Sequence, residues 1–514
     1  MSKWVSTLLG LLLVASSAVA GGGEVWIATF DGTMGLQDQA RGIAVDPSGC
    51  VFVVGETNYA SEPVEIPSSL LLIKFSPDGD TLWTHVNDSA SSARYLVVDD
   101  SGCVYVAGES KSDTVDFLVL KYGPEGDSIW AATYKHPVFT SDEIRGIVLD
   151  PNRNLYLLGD VEDLADDEDI ALVKILPDGS IDWVSILSGP AGDDQPEGIA
   201  VDNSGHIAVV GSSRNSDSAT TAIWTIMYDA SGDTVWTARY GGSTTCYALS
   251  VGTDDEGSVY VAGELGEYET ADCIFIKYSA AGVFQWDWTY SGPAGLRDYI
   301  GDLHVGGDGS VWLSIVRDYD FFGYDPRSLV GVRLNSDGNE RWARTFYSPS
   351  PTGDGCESGG TSVAVDANQN AVFGYSPCWP HTVKYSPEGD LLWWRPFAVD
   401  SAGLGTFRDL AADQDGNVYV IGEVPQQVSG TEWLEDIVLY KYPASCCLLR
   451  GDMNESGGVT VADITFLIGY VFRGGPPPYC LTEADVSGDG HVTVVDVTSL
   501  IAYVFRGGPA PAGC

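Results

Sequence analysis

One short segment recurs along the chain, and that recurrence restricts the fold more than any other feature. GIAVDPSGCVFVVGET, from Gly42, returns as YLVVDDSGCVYVAGES from Tyr95, GIVLDPNRNLYLLGDV from Gly146 and GIAVDNSGHIAVVGSS from Gly198. Weaker copies start at Ser250, Asp302, Ser362 and Asp409. That makes eight copies about 52 residues apart, within the range of propeller repeats. Each copy follows one grammar. An apolar run ends in a turn such as Asp46-Pro47-Ser48-Gly49, and a β-rich run such as Val51 to Gly55 follows. A variable segment leads to a third run holding a lysine, such as Leu70 to Phe75. A second turn, Ser76-Pro77-Asp78-Gly79, leads to a run opening with Trp83. Four short strands per period, joined by Gly and Asp turns, describe one blade of a β-propeller.

The tryptophans give an independent count. Trp26, Trp83, Trp130, Trp183, Trp236, Trp286, Trp342 and Trp393 mark eight outer strands. The first precedes the first repeat, and the last repeat, ending at Ile437 to Tyr442, has no such strand after it. The N-terminal strand is therefore expected to complete the last blade, which joins the ends of the ring and removes an exposed edge. The predicted fold is all-β, an eight-bladed β-propeller of four-stranded blades; seven blades is the alternative. At a fixed offset in each repeat, the Trp residues read as packing between blades. The recurring Lys74, Lys121, Lys174, Lys277, Lys384 and Lys441 read as packing or pairing positions. The 61 Gly and 25 Pro, beside 15 Trp, 25 Tyr and 16 Phe, suit short strands and tight turns.

In its GIAVD-xSG-x-VYV-x-G and K-x-SPDG segments, the region from about residue 25 to 445 resembles the SBBP-type bacterial propeller repeats. The Gly-x-x-x-Trp step, as in Gly79 to Trp83, is similar to the docking motif of quinoprotein repeats. These resemblances imply a fold and no activity, because propellers host many functions.

Charge narrows the partners. The chain carries 72 acidic against 26 basic residues, a formal net charge of −46. Such a chain is repelled by nucleic acid and by anionic membrane surfaces, and no basic stripe offsets this. Lys3, the apolar run Leu8 to Ala15 and the small residues Ala18-Val19-Ala20 read as a secretory signal peptide over residues 1–20. The mature chain is expected to be secreted, extracellular or attached to a cell surface. No later stretch approaches the roughly 18 apolar residues of a membrane span. All ten Cys lie in the mature part, where disulfides are permitted.

On the propeller, residues 21–445, function is expected on the face carrying the second-to-third loops and the blade crossings, because those segments vary. Candidates are Tyr59 to Ser69, Asp160 to Asp169, Arg317 to Arg327 and Pro425 to Glu435. Asp38, Asp142, Asp194 and Asp298 precede inner strands at one offset. They would either form a carboxylate ring for a cation at the channel mouth or cap backbone amides at each crossing. The six His are scattered, and no HExxH, GxSxG with placed partners, Walker loop or CxxCH site occurs, so no catalytic residue is nominated.

The composition changes after Tyr442. RGDMNESGGVTVADITFLIGYVFRGGPPP is followed by EADVSGDGHVTVVDVTSLIAYVFRGGPAP. Each copy opens with a loop of calcium type. Asp452, Asn454 and Ser456 stand at alternate ligand positions, Gly458 offers its carbonyl and Asp463 closes the loop at the twelfth position. The second loop repeats this with Asp485, Ser487, Asp489, the His491 carbonyl and Asp496. Hard oxygen donors at this spacing suit Ca²⁺. A helix is expected after each loop, stopped by Gly474-Gly475-Pro476 and Gly507-Gly508-Pro509.

Without incoming helices and with Asp at the twelfth position, the pair departs from ordinary EF-hands. Residues 446–514 resemble a dockerin, a small α-helical calcium module that binds cohesin domains. The resemblance implies partner contacts at Val461, Ala462, Ile468, Gly469 and Arg473, and again at Val494, Val495, Ile501, Ala502 and Arg506. Near-identity of the copies implies two binding orientations. Ser456 replaces the usual acid, so loop 1 is expected to bind Ca²⁺ more weakly than loop 2. A bond from Cys446 or Cys447 to Cys480 or Cys514 would staple this small module, and the spacing does not choose among pairings. Cys356 and Cys378 form a candidate pair within a blade; Cys50 and Cys103 stand in adjacent blades, too far apart to bond.

The sequence thus favours a secreted binding or scaffold-associated protein: a recognition propeller attached through a calcium-dependent module to a cohesin-like partner, with a glycan or protein ligand on the loop face. A carbohydrate-active enzyme is the alternative, since dockerins often accompany polysaccharide-degrading proteins. A quinoprotein-like oxidoreductase is third, because its vicinal cysteines are matched only by Cys446-Cys447, outside the propeller.

Overall fold

The structure is a computed structural model. It describes residues 26–513 except 33–36, 60–67, 89, 111–115, 137–141, 163–167, 190–191, 193, 217–219, 268–269, 293–296, 318–327, 348–360, 377–379, 398–404, 430–431, 448 and 512. The signal segment, most of Tyr59 to Ser69 and of Arg317 to Arg327, half of Asp160 to Asp169, Cys356, Cys378 and Cys514 lie outside the described residues, whereas Pro425 to Glu435, expected as a loop, continues the paired strands Val418–Ser429 and Glu432–Tyr442.

Eight four-stranded antiparallel sheets form the ring. Blade 1 comprises Gln37–Val45, Val51–Tyr59, Ser69–Phe75 and Thr81–Asn87, from the inner to the outer strand. Blade 8 comprises Thr406–Ala412, Val418–Ser429 and Glu432–Tyr442, and its outer strand is Trp26–Phe30 from the N-terminus. Trp26 pairs with Lys441 and Phe30 with Ile437, so the predicted closure is present. Seven blades is excluded. The inner strands neighbour one another in sequence, and that of blade 8 lies beside that of blade 1.

Burial follows position in the blade. The third strand of blade 2, FLVLKY, is buried throughout, because neighbouring blades cover both its faces. Its outer strand, SIWAATY, alternates between exposed and half-buried residues, as an edge facing solvent on one side must. The apolar core is divided among the blade interfaces. Ala28, Phe30, Ile437 and Leu439 of blade 8 pack with Ile43, Val53 and Phe75 of blade 1.

The recurring Trp joins each blade except the seventh to the next. Trp236 Nε1 donates to the Ala280 carbonyl in the turn of the following blade at 3.0 Å. Gly282 of that turn has φ +76°, and a Cβ there would lie 2.6 Å from the Trp236 ring. Only Gly suits both the backbone and the contact. The same docking crosses the closure, where Trp26 meets Gly79 and donates to the Pro77 carbonyl at 3.0 Å. The recurring lysines serve the same joint: Lys74 Nζ donates to the Pro124 carbonyl at 3.0 Å and Lys441 Nζ to that of Pro77 at 2.9 Å. The Trp and Lys residues are therefore structural.

The interface from blade 7 to blade 8 differs, because blade 8 takes its outer strand from the N-terminus and has no third-to-fourth turn. The chain leaves Tyr442 into the C-terminal module instead. Trp393 is buried there and forms a β-bridge with Cys480, which is bonded to Cys446. The module holds three helices, α1 (Val461–Arg473), α2 (Leu481–Ala484) and α3 (Val494–Arg506), around Ile464, Leu467, Val497, Leu500 and Met453.

Candidate functional site

The C-terminal loops share one construction. Asp452 accepts amide hydrogen bonds from Ser456 at 3.0 Å and Gly457 at 2.7 Å, which bends loop 1 around its carboxylate. Asp463 accepts from Asn454 N at 3.2 Å and from Thr460 N at 2.7 Å. It is thus both the closing carboxylate of the loop and part of the capping box of α1. Loop 2 repeats the pattern. Asp485 accepts from Gly488, Asp489 and Gly490, and Asp496 from Ser487 at 2.9 Å and Thr493 at 2.7 Å. Asp496 belongs to the capping box of α3. Asp452, Asp463, Asp485 and Asp496 are buried, whereas Asn454, Ser456, Ser487, Asp489 and His491 are exposed and Gly458 is half-buried. Two buried carboxylates and an arc of further oxygens in each loop are the donor chemistry of Ca²⁺.

On α1 and α3, Val461, Ala462, Arg473, Val494, Val495 and Arg506 are all exposed, while Ile468, Gly469, Ile501 and Ala502 are half-buried. The two sets occupy corresponding places on two helices with the same caps. Phe472 and Phe505, 59% and 61% exposed, stand beside the arginines and extend both faces with an aromatic ring. Sequence reasoning missed them, although the shared YVFRGG segment was the signal.

The module does not hang free. Trp394 of blade 7 donates its backbone N–H to the Tyr479 carbonyl at 3.1 Å and its indole N–H to that of Pro477 at 3.2 Å. The two rings lie 4.7 Å apart. Arg395 pairs with Glu455 of loop 1 at 2.7 Å, both side chains nearly buried. The Cys446–Cys480 disulfide completes the contact, and Cys447 is also disulfide-bonded. Cys50 and Cys103 are free thiols, as their separation predicted.

On the propeller, Asp38, Asp142, Asp194 and Asp298 cap their own crossings. Asp38 accepts from Gly32 N at 2.6 Å and Asp142 from His136 N at 3.4 Å, and Asp194 and Asp298 accept from Gly189 and Gly292. The capping alternative therefore describes them. A different polar feature lies on the inner strands. A bulge precedes the repeat glycine or its equivalent, and its residue is Arg408, Arg41, Arg94 and Arg145 in four successive blades. Each pairs with a carboxylate on the second strand: Arg408 with Glu423 at 2.8 Å, Arg41 with Glu56 at 3.2 Å, Arg94 with Glu109 at 3.8 Å and Arg145 with Asp160 at 2.6 Å. Glu143 links Arg94 to Arg145. These guanidinium groups remain partly open to solvent and present donors for a polar or anionic ligand. In the next blade Glu197 holds the bulge position, and burial pushes its carboxyl up to about 7. This half-ring was also missed; its signal was Arg before the repeat glycine with an acid after the glycine of the second strand.

The inner strands are further tied by Ser362, whose hydroxyl lies 3.1 Å from Asp302 and 3.0 Å from Asp409. Burial and the neighbouring Asp302 push Asp409 up to about 7. Two cavities among the described residues are lined by the turns between first and second strands, on the opposite face from the variable loops. One of about 380 Å³ is lined by His304, Trp312, Asp366 and Gln369, and one of about 250 Å³ by Asp46, Asp99 and Asp413. No helix of the described residues is long and apolar enough to cross a membrane.

Residues 450–505 match the dockerin type I domain. Dockerin type I domains typically bind calcium and pair with cohesins. No curated protein matches the chain in sequence. Among solved structures, a polysaccharide lyase is 10% identical with a TM-score of 0.41, covering 70% of this chain and 92% of that one. A puromycin hydrolase is 15% identical with a TM-score of 0.46, covering 75% and 58%. The propeller domain of a trilobed protease from Pyrococcus furiosus is 9% identical with a TM-score of 0.38, covering 70% and 95%. Likeness this distant carries no argument about activity. The chain is an eight-bladed β-propeller that carries a C-terminal dockerin type I domain.

Proposed function

We propose that this is a secreted recognition protein in which the propeller is the ligand platform and the dockerin domain is the attachment. The division is a signal peptide over residues 1–20, the propeller over 21–445 and the dockerin domain over 446–514. Asp452, Asn454, Ser456, Gly458 and Asp463 hold one Ca²⁺, and Asp485, Ser487, Asp489, His491 and Asp496 a second. Bound calcium supplies the positive charge that lets buried carboxylates stand together, so binding energy becomes folding energy. Asp463 and Asp496 pass that order to α1 and α3 through the capping boxes. The helices then present Val461, Ala462 and Arg473 on one face, and Val494, Val495 and Arg506 on the other, to a cohesin-type partner.

One observation carries this reading: docking on blade 7 uses Pro477, Tyr479, Cys480 and Glu455, and leaves both helical faces exposed. The test is capture of a cohesin domain by the full chain in calcium and in chelator. Capture in calcium alone is expected. Val461→Asp or Val495→Asp alone should preserve capture, because the other face serves, and the double change should abolish it. Capture that is equal in chelator, or indifferent to the double change, contradicts the reading.

A further inference from the structure

The crossing from blade 8 to blade 1 holds a charge arrangement found at no other described crossing. Asp31 follows the N-terminal strand, and continuing the register of Phe30 with Ile437 sets it opposite Asp436. Asp38 opens the inner strand of blade 1. Carboxylate oxygens of Asp31, Asp38 and Asp436 all lie within 4.8 Å of one another. Asp38 and Asp436 are buried, Asp436 at 4% exposure, and Asp31 is exposed. Asp38 has the Gly32 amide. Asp436 has no hydrogen-bond donor among the described residues, so a buried carboxylate points at two others without a counter-charge. An uncompensated buried charge is costly.

Other blades show what this position requires. In blade 2 the corresponding pair is Asp116 and Lys135, whose charged groups lie 3.8 Å apart, beside Asp142. In blade 3 it is Asp169 and Ser188, joined by a hydrogen bond, and in blade 1 Ser69 and Asp88, at 2.8 Å. Each aspartate there faces an ammonium or a hydroxyl. Among the described residues, only at the closure of the ring does a third carboxylate stand in the place of the lysine.

We propose that Asp31, Asp38 and Asp436 bind a divalent cation, Ca²⁺, that fastens the N-terminal strand into blade 8 and joins it to blade 1. Calcium takes oxygen ligands at about 2.3–2.6 Å, so the ligands of one ion can stand up to about 5 Å apart, as these do. The exposed Asp31 leaves a side for water. The ion is separate from the two dockerin loops, and neither proposal depends on the other.

The test is calcium stoichiometry of the full chain, stripped with chelator and titrated with Ca²⁺ in equilibrium dialysis. Asp31→Lys recreates the arrangement of Lys135, so it should fold and bind one calcium ion fewer per chain than the wild type, whatever the loops contribute. Asp436→Asn should lose the same ion. A second reading is the thermal transition of the propeller. Calcium should raise it in the wild type, and the transition of Asp31→Lys should not respond to calcium or chelator. Equal stoichiometry in wild type and Asp31→Lys, or a wild-type propeller transition indifferent to calcium, overturns the proposal and assigns the cluster a shared proton instead.

Discussion

At the scale of single residues, the ring depends on contacts that leave no room for a side chain. Trp236 lies on Gly282 of the next blade and donates to the neighbouring carbonyl. A methyl at Gly282 must strain a backbone at φ +76° and push the indole off its seat. Gly282→Ala should therefore destabilise the propeller by about 1–3 kcal/mol, measured by chemical denaturation of the full chain. An unchanged midpoint would show that the joint can yield. The Trp and Gly positions were legible in the sequence because they recur at one offset in each repeat. The bulge arginines were not, because Arg41, Arg94, Arg145 and Arg408 occupy only half the repeats and their bulge is invisible in a one-dimensional pattern. The aspartates at the crossings gave a recurrent spacing, but spacing alone could not separate a shared ring from separate caps.

At the scale of elements, blades and helices were legible, and their mutual placement was not. Repeat grammar identified four strands per blade, and two calcium-type loops identified α1 and α3. Nothing in the sequence placed the module on the outer strand of blade 7, since no repeat pattern calls for Trp394, Arg395, Glu455 or Tyr479 at their positions. The disulfide was foreseen as one of several pairings, and the structure selects Cys446–Cys480. Arg395 and Glu455 form a nearly buried pair, so Arg395→Ala strands a carboxylate inside loop 1. Losing one partner of such a pair costs about 3–5 kcal/mol. The expected result in calorimetry is a lower transition for the module and weaker calcium binding at loop 1, with loop 2 unaffected. The loops should also differ in the wild type. At the ligand positions, loop 2 offers the carboxylates of Asp485, Asp489 and Asp496, whereas loop 1 offers only Asp452 and Asp463, its Glu455 being paired with Arg395. Calorimetric titration should fill loop 2 first, and Asp489→Asn should narrow the gap; filling of loop 1 first would contradict the assignment.

Across the whole molecule, an acidic chain closes a ring around carboxylates that resist ionisation. Burial pushes Asp409, Glu423 and Glu197 each up to about 7. When unfolded, these groups release their protons near pH 4. Folding therefore takes up protons between those values. The stabilisation is full below about pH 4 and is lost as the pH rises through 7. The propeller melting temperature should fall between pH 5 and pH 8 at saturating calcium, and Asp409→Asn should reduce that fall. A melting temperature that rises over the same interval would contradict the burial of these groups. Calcium is expected to order the dockerin domain on a propeller that is already folded. Hydrogen exchange of the full chain in calcium and in chelator tests it most directly. Amides of Val461–Arg473 and Val494–Arg506 should be protected only in calcium, while the strands of blades 2 to 7 should keep their protection in both. Helices equally protected in chelator, or a propeller that opens as a whole when calcium is removed, would contradict it.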